Sequence, residues 1–215
     1  MDYALLRSTM VKEQLRARGI HDPGVLDAFN KVERHKFVLP EVRDSAYGDF
    51  PLSIGEGQTI SQPYIVALMT ECLEVSSSHT VLEIGTGSGY QASILAEQAL
   101  HVYSIERYEV LASRAESLLK ELGYNNITIT VGDGTLGWQA YSPFDRIIVT
   151  AAVPRVPLPL LEQLRNGGKL IIPLGGSFGQ VLTLIEKEQD KINYRNICDC
   201  VFVPLVGKYG AKTNN

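Results

Sequence analysis

Val81-Leu82-Glu83-Ile84-Gly85-Thr86-Gly87-Ser88-Gly89-Tyr90 opens with a short apolar run that stops at an acid. Three glycines then alternate with small residues, and an apolar, helix-compatible segment follows. This reads as strand, tight turn and helix, the first unit of a nucleotide-binding α/β sheet. Glycine lets the backbone take positive φ and lets a ligand approach without meeting a Cβ. The spacing is G-x-G-x-G. The dinucleotide spacing G-x-G-x-x-G puts its third glycine one residue later, at the helix start beside a pyrophosphate.

Downstream of this stretch the pattern alternates regularly. Strands are predicted at 80–84, 102–106, 127–131, 145–150 and 169–173, with helices over 89–99, 108–122 and 157–165 between them. Residues 181–186 and 192–203 read as two long strands joined by the polar turn 187–191, an antiparallel hairpin. The expected architecture is α/β: a doubly wound, Rossmann-like sheet, mostly parallel, with an antiparallel C-terminal edge and N-terminal helices.

Upstream, Leu5, Leu6, Thr9, Met10 and Leu15 fall on one face of a helix ended by Gly19, and Asp22-Pro23 caps a second helix. These helices (1–45) serve either as a cap over the site or as packing on the sheet. Residues 46–63 break pattern as a long loop, and such loops in compact domains are often functional. A helix starts near Pro63, so Ser61 and Gln62 stand at its N-terminus, where free N–H groups and a positive dipole end suit an anion. Sequence position alone favours Ser61 as an N-cap, as most serines before helices are. The core is expected over 64–207, and the tail 208–215 is expected to fray.

With 215 residues, 45% hydrophobic and 20% charged, the chain suits one globular domain. A net charge of −4 gives no basic balance that would argue for nucleic acid. No apolar window is long enough to span a membrane, and Met1-Asp2-Tyr3-Ala4 lacks a signal-peptide pattern. The three cysteines Cys72, Cys198 and Cys200 fit a reducing cytoplasm. Cys198-Asp199-Cys200 shares a strand face, which suits packing, or a metal only if a second ligand pair exists; none is visible, and no metal is expected.

Ligands of such sheets bind beyond the carboxyl ends of the strands. There stand Glu83, Glu106, and Asp133 between Gly132 and Gly134, followed by Thr150-Ala151-Ala152. Glu106 can accept both hydroxyls of a ribose diol. Asp133 can accept an exocyclic amine, its glycines keeping the wall flat. Glu83 either faces a cationic group or only orients the loop. No basic residue lies between 80 and 100. Acids without cations suit a phosphate-free, cationic nucleoside, S-adenosyl-L-methionine, better than NAD.

These residues, with Leu52-Ser53-Ile54-Gly55-Glu56-Gly57-Gln58-Thr59-Ile60-Ser61-Gln62-Pro63, Ile148–Ala152, Gln163–Gly168 and Val201-Phe202-Val203-Pro204-Leu205-Val206, resemble the protein-L-isoaspartate (D-aspartate) O-methyltransferase family over nearly the whole chain. Ser53 stands where that family often has Pro, and Val201 where it often has Arg. The resemblance implies methyl transfer to the free carboxyl of isoaspartyl residues in damaged proteins and peptides, with S-adenosyl-L-homocysteine as by-product. It also implies last strands exchanged in order, so that the C-terminal block returns to the site. Cofactor contacts are then expected from Glu83, Gly85, Thr86, Gly87, Gly89, Glu106, Arg107, Gly132, Asp133, Gly134 and Thr150. Ser61 is the expected catalytic residue, orienting the acceptor carboxylate. Ile54, Thr59, Ile60, Ser61, Gln62, Val203 and Leu205 are expected against substrate. A carboxylate acceptor needs no general base, so His21, His35, His79 and His101 read as packing or surface residues. A cytoplasmic monomer is expected. Methylation of another acceptor, a non-catalytic carboxyl binder and an NAD-type oxidoreductase are the competing readings.

Overall fold

The computed structural model describes residues 1–176, 179–189 and 191–212. In chain order its elements are α1 (Tyr3–Thr9), α2 (Pro23–Lys31), β1 (Leu52–Gly55), β2 (Gln58–Ile60), α3 (Pro63–Leu73), β3 (Thr80–Ile84), α4 (Tyr90–Ala96), β4 (His101–Glu106), α5 (Glu109–Glu121), β5 (Ile127–Val131), β6 (Phe144–Val149), α6 (Leu158–Gln163), β7 (Leu164–Gly176), β8 (Gly179–Glu188) and β9 (Lys191–Cys200). Asp190 of the predicted turn and residues 213–215 of the tail lie outside the described residues.

The main sheet has the order β5-β4-β3-β6-β7-β8-β9. Strands β5, β4, β3, β6 and β7 pair in parallel, and β7–β8 and β8–β9 pair antiparallel. The order reverses at β3, so the crevice at the switch point opens over the glycine turn. Period-two alternation divides the sheet's side chains between two apolar layers. Val81, Ile148 and Ile171 face the layer that holds Phe29, Met69, Ile94 and Leu111. Leu82, Ile84, Ile147, Val149, Leu170 and Ile172 face the layer of Leu160 and Leu164. Truncating a wholly buried member such as Leu82 to Ala would cost about 2–5 kcal/mol.

Three features differ from the sequence reading. The first helix does not run unbroken to Gly19: Met10–Leu15 is a π-helical segment and Arg16–Arg18 a 3-10 turn. A π turn takes an extra residue and rotates the face that follows. Met10, Val11 and Leu15 of that segment are buried, while Leu5 in the regular helix before it, expected inward, is 61% exposed. Second, the stretch 46–63 is not wholly irregular. Leu52 pairs with Ile60 and Ser53 with Thr59 in an antiparallel hairpin. Its turn takes φ of +96° at Gly55, +53° at Glu56 and +68° at Gly57, so two of its three left-handed positions carry glycine. Third, the tail is docked from residue 207 to 211. Gly207 and Lys208 lie against Asp133, Tyr209 N–H donates to Thr135 Oγ1, and Ala211 N–H donates to the Leu205 carbonyl.

The C-terminal block returns to the site as the resemblance implied. Ala152, just past β6, donates its N–H to the Val203 carbonyl at 2.8 Å, and Leu205 N–H donates to the Ala152 carbonyl at 2.7 Å. Chain-order placement of β7, β8 and β9 carries the chain out to the edge and leaves residues 201–206 to cross back over the strand ends. Val201, where the family often has Arg, is 94% exposed at the start of that crossing.

Candidate active site

The glycine turn is built by close approach. Gly85 has φ +97°, and a Cβ there would stand 2.4 Å from Thr150 Oγ1. That hydroxyl lies 2.9 Å from the Gly85 carbonyl and 3.0 Å from the Ile84 carbonyl, so Thr150 ties the end of β6 to the turn. Gly87, with φ +54°, donates its N–H to Glu106 Oε2 at 2.8 Å. Gly89 does different work: a Cβ there would press on Ala115 and Leu119 of α5, so this glycine lets two helices approach.

The three acids at the strand ends have three different environments. Glu83 is fully buried and accepts a hydrogen bond from Ser104 Oγ, which in turn contacts Thr86 Oγ1. Its other oxygen has no partner among the described residues. Burial pushes its pKa up to about 8, against the opposing Ser104 hydrogen bond. Burial thus favours the neutral acid, and Glu83 orients the turn from behind it. Glu106 lines the crevice. Its Oε1 accepts from the N–H groups of Arg107 and Tyr108 at 2.7 and 2.9 Å, and its Oε2 from Gly87. With three of about four lone-pair sites occupied, it has one to offer a ribose hydroxyl, not two. Asp133 Oδ1 accepts from Thr135 N–H and Oγ1 at 2.9 and 2.7 Å, and Oδ2 accepts from Lys208 N–H at 2.7 Å. Partial burial alone would raise its pKa, but these donors outweigh it and hold the carboxyl below its usual range. Oδ2 keeps a lone pair for a further donor.

A cavity of about 190 Å³ opens between these groups, lined by the glycine turn, Glu106, Arg107, Gly132, Gly134, Thr150 and the returning residues 203–206. Beside it lies a smaller space of about 40 Å³ lined by Ser61, Ile60, Thr86, Tyr90 and Gln91, and Thr59, Gly85, Gly87 and Thr150 border both. The structure thus brings together Ser61, Thr59, Ile60, Gly85, Thr86, Gly87, Glu106, Arg107, Gly132, Gly134, Thr150, Val203 and Leu205. It places four predicted residues elsewhere. Glu83 and Gly89 sit behind the turn. The Gln62 amide is turned to Asp49, donating to its carbonyl and carboxylate at 2.9 and 2.8 Å. Ile54 lines an adjoining apolar pocket with Phe37, Leu39, Leu111 and Leu118, which shares Gly87 with both spaces. Asp133 stands beside the cavity with its carboxylate engaged by the tail. A larger depression of about 450 Å³ near Lys31, Glu33, Glu97 and Tyr124 lies at the amino ends of the strands, away from this chemistry.

Ser61 is not an N-cap. Gln62 holds that position in α3 without a side-chain capping bond, and Asp49 Oδ1 accepts from Tyr64 N–H at 3.3 Å. The Ser61 side chain is left to the small space. Tyr90 and Gln91 border that space and escaped the sequence reading because they begin an apolar helix, where they look like core. Cys198 and Cys200 are half-buried against the core, and no group of three His, Cys, Asp or Glu among the described residues could hold a metal. His35 is buried, stacked on Tyr3 at 4.0 Å and hydrogen-bonded to Tyr47.

The crevice fits an adenosine that lacks phosphate. A Cβ at Gly134 would meet Ile84 Cγ2 at 2.3 Å, so close packing on β3 requires glycine there, and with Gly132 it leaves a wall without side chains, as suits a flat base. Glu106 presents an acceptor beside it, and Arg107 is the cation among its lining residues.

Residues 6–210 match the family model described as protein-L-isoaspartate(D-aspartate) O-methyltransferase. The chain is 51% identical over 210 residues to protein-L-isoaspartate O-methyltransferase 1 of Syntrophobacter fumaroxidans, covering 98% of each. It is 53% identical over 211 residues to the protein-L-isoaspartate O-methyltransferase of Geobacter metallireducens, again covering 98% of each. A solved protein-L-isoaspartate O-methyltransferase superposes with a TM-score of 0.86 at 28% identity, over 95% of this chain and 67% of that one. A protein-L-isoaspartate O-methyltransferase structure from Plasmodium falciparum, in complex with S-adenosyl-L-homocysteine, superposes with a TM-score of 0.80 at 27% identity, over 93% of this chain and 98% of that one.

Proposed function

As the chain belongs to the protein-L-isoaspartate(D-aspartate) O-methyltransferase family, we propose that it transfers a methyl group from S-adenosyl-L-methionine to the free carboxyl of L-isoaspartyl and D-aspartyl residues in damaged proteins. The ester then closes to a succinimide, which reopens in part to normal aspartate. The observation that carries this reading is the joining of two spaces at Thr59, Gly85, Gly87 and Thr150: one is bordered by the ribose-type acceptor Glu106, the other by Ser61.

Bound S-adenosyl-L-methionine supplies an electrophilic methyl on a sulfonium and leaves as S-adenosyl-L-homocysteine. An acceptor carboxylate oxygen forms the new O–CH3 bond while the C–S bond breaks and sulfur keeps the electron pair. No proton moves, so the absence of His or Lys from the linings of these two spaces suits the chemistry. Glu106 holds the ribose, and the Gly132–Gly134 wall holds the base, with Asp133 accepting its amine. Ser61 Oγ and the adjacent peptide N–H orient the acceptor carboxylate, and one or two donors hold it without quenching its attack. Ile60, Val203 and Leu205 exclude water. Two opposite charges are lost in the transition state, so a dry site favours it. Residues 1–45 act as a cap and 46–63 as the substrate loop.

No helix among the described residues is long and apolar enough to cross a membrane. We place the chain in the cytoplasm, as a monomer that acts on proteins and peptides and not on nucleic acid; its unpaired cysteines and net charge of −4 support this. The test is turnover of an isoaspartyl peptide beside its normal aspartyl twin. Methylation of the first alone supports the reading. Equal methylation of both, or of neither, overturns it.

A further inference from the structure

Arg34 is wholly buried, yet no carboxylate pairs with it among the described residues. Asp49, whose charge acts on it, pairs instead with Arg18. Arg34 Nε donates to the Ala46 carbonyl at 2.8 Å and Nη2 donates to the Ser61 carbonyl at 2.7 Å, which leaves Nη1 to the buried Tyr90 hydroxyl, itself without any other partner among the described residues. Its guanidinium carbon lies 4.8 Å from the ring centre of Tyr90, which borders the same space as Ser61. A buried charge whose nearest carboxylate is paired elsewhere is an expensive arrangement for a fold to keep.

The bond to Ser61 has a consequence across the peptide plane. In a trans peptide the carbonyl and the next N–H point in opposite directions. With the Ser61 carbonyl turned to Arg34, the Gln62 N–H points away from it. That N–H donates to no group among the described residues. Hydrogen bonding to a cation at one end of a peptide strengthens its donor at the other. The same N–H belongs to the positive end of α3, eleven residues long.

We propose that Arg34 is a positioning residue for a carboxylate bound at the Ser61–Gln62 peptide: it fixes and polarises that peptide from behind and supplies the positive charge the anion needs. This rests on the reading that the Ser61 loop holds a carboxylate. Two carboxylates are candidates for it, that of the isoaspartyl residue and that of the amino-acid portion of the cofactor, and the experiment separates them. The charge reaches the anion through one peptide group, so the acceptor keeps the weak solvation its attack requires.

The variants are Arg34→Met, which keeps the length and removes the charge, and Arg34→Lys, which keeps the charge. Each is compared in thermal unfolding, in binding of S-adenosyl-L-homocysteine and of 5′-methylthioadenosine (the same thioether without the amino-acid part), and in steady-state methylation of an isoaspartyl peptide. The loss expected in Arg34→Met is about tenfold, the size of one charge-assisted hydrogen bond. If it falls on the peptide KM with S-adenosyl-L-homocysteine binding unchanged, Arg34 serves the substrate carboxylate. If it falls on S-adenosyl-L-homocysteine and spares 5′-methylthioadenosine, Arg34 serves the cofactor carboxylate. In either case Arg34→Lys recovers most of it. A folded Arg34→Met that keeps all three constants overturns the proposal, as does equal weakening of both nucleosides or a Lys variant no better than Met. Should Arg34→Met fail to fold, Arg34→Gln, with a neutral donor for the Ser61 carbonyl, carries the same comparison. Ser61→Ala is run in parallel. Normal turnover there removes the underlying reading, whereas impaired turnover there with a normal Arg34→Met removes this proposal alone.

Discussion

Replacing Glu83 by Gln tests whether a carboxyl group in the wall of the turn is neutral in the folded protein. Its pKa rises from 4.5 to about 8 because the side chain is wholly buried, with Ser104 Oγ as its one hydrogen-bond partner. The folded state therefore holds a proton that the unfolded chain releases above pH 4.5. The stabilising effect of that proton is complete below the unfolded value and disappears as pH climbs through the folded value. Between those limits wild-type stability falls by about 1.4 kcal/mol per pH unit from this group alone. From pH 5 to pH 8 that amounts to about 3–4 kcal/mol. Glutamine mimics the neutral acid and has no proton to lose, so the difference between the two proteins isolates the group from every other titration. Urea unfolding at pH 5, 6, 7 and 8, with slopes checked for constancy, gives the comparison. The wild-type curve should converge on or drop below that of Glu83→Gln as pH rises, whatever their offset at pH 5. Parallel curves would refute a neutral Glu83 and return it to the role of a counter-charge to the cofactor.

Ser61→Ala should slow turnover of the bound complex while leaving S-adenosyl-L-homocysteine affinity intact; single-turnover rates beside calorimetric binding separate the two, and a collapse of affinity with normal turnover contradicts the assignment. Asp133→Ala should weaken S-adenosyl-L-homocysteine by about 1–3 kcal/mol, the value of a lost buried partner, and in the same variant the amides of Lys208 and Tyr209 should exchange faster with solvent. Wild-type affinity together with wild-type exchange would disprove both roles. Gly85→Ala combines a left-handed backbone with a Cβ 2.4 Å from Thr150 Oγ1, so it should abolish detectable cofactor binding and lower stability by about 1–3 kcal/mol; retained binding in calorimetry would count against the close approach.

The parts legible in the sequence are those whose chemistry is local. The run 81–90 announces strand, turn and helix because alternation and glycine are written in consecutive residues. Glu106 and Asp133 could be found because a parallel sheet delivers its strand ends to one place. What escaped depends on partners far along the chain. The hairpin 52–60 has strands of four and three residues, too short for alternation to register. Arg34 stands in Arg34-His35-Lys36, which reads as solvated charge until Ala46 and Ser61 close over it. Gln62, placed at a helix start, turns to Asp49, and nothing in its neighbours says so. Glu83 held two readings because period two gives the face of a strand but not the depth of burial behind it. The inward turn of residues 207–211 follows from the absence of side chains at Gly207 and Gly210, where a Cβ would fall 2.0 Å from Asp133 Oδ1 and 2.1 Å from the Leu205 carbonyl. Glycine in a polar tail looks like looseness and here permits contact.

That docking makes the adenosine crevice a property of both halves of the chain. The glycine turn is specified by residue 90, but residues 203–211 must arrive before the wall beside Asp133 is complete. A chain cut after β9 would keep all five parallel strands and the glycine turn, yet lack the side of the crevice that Val203, Leu205 and Lys208 complete.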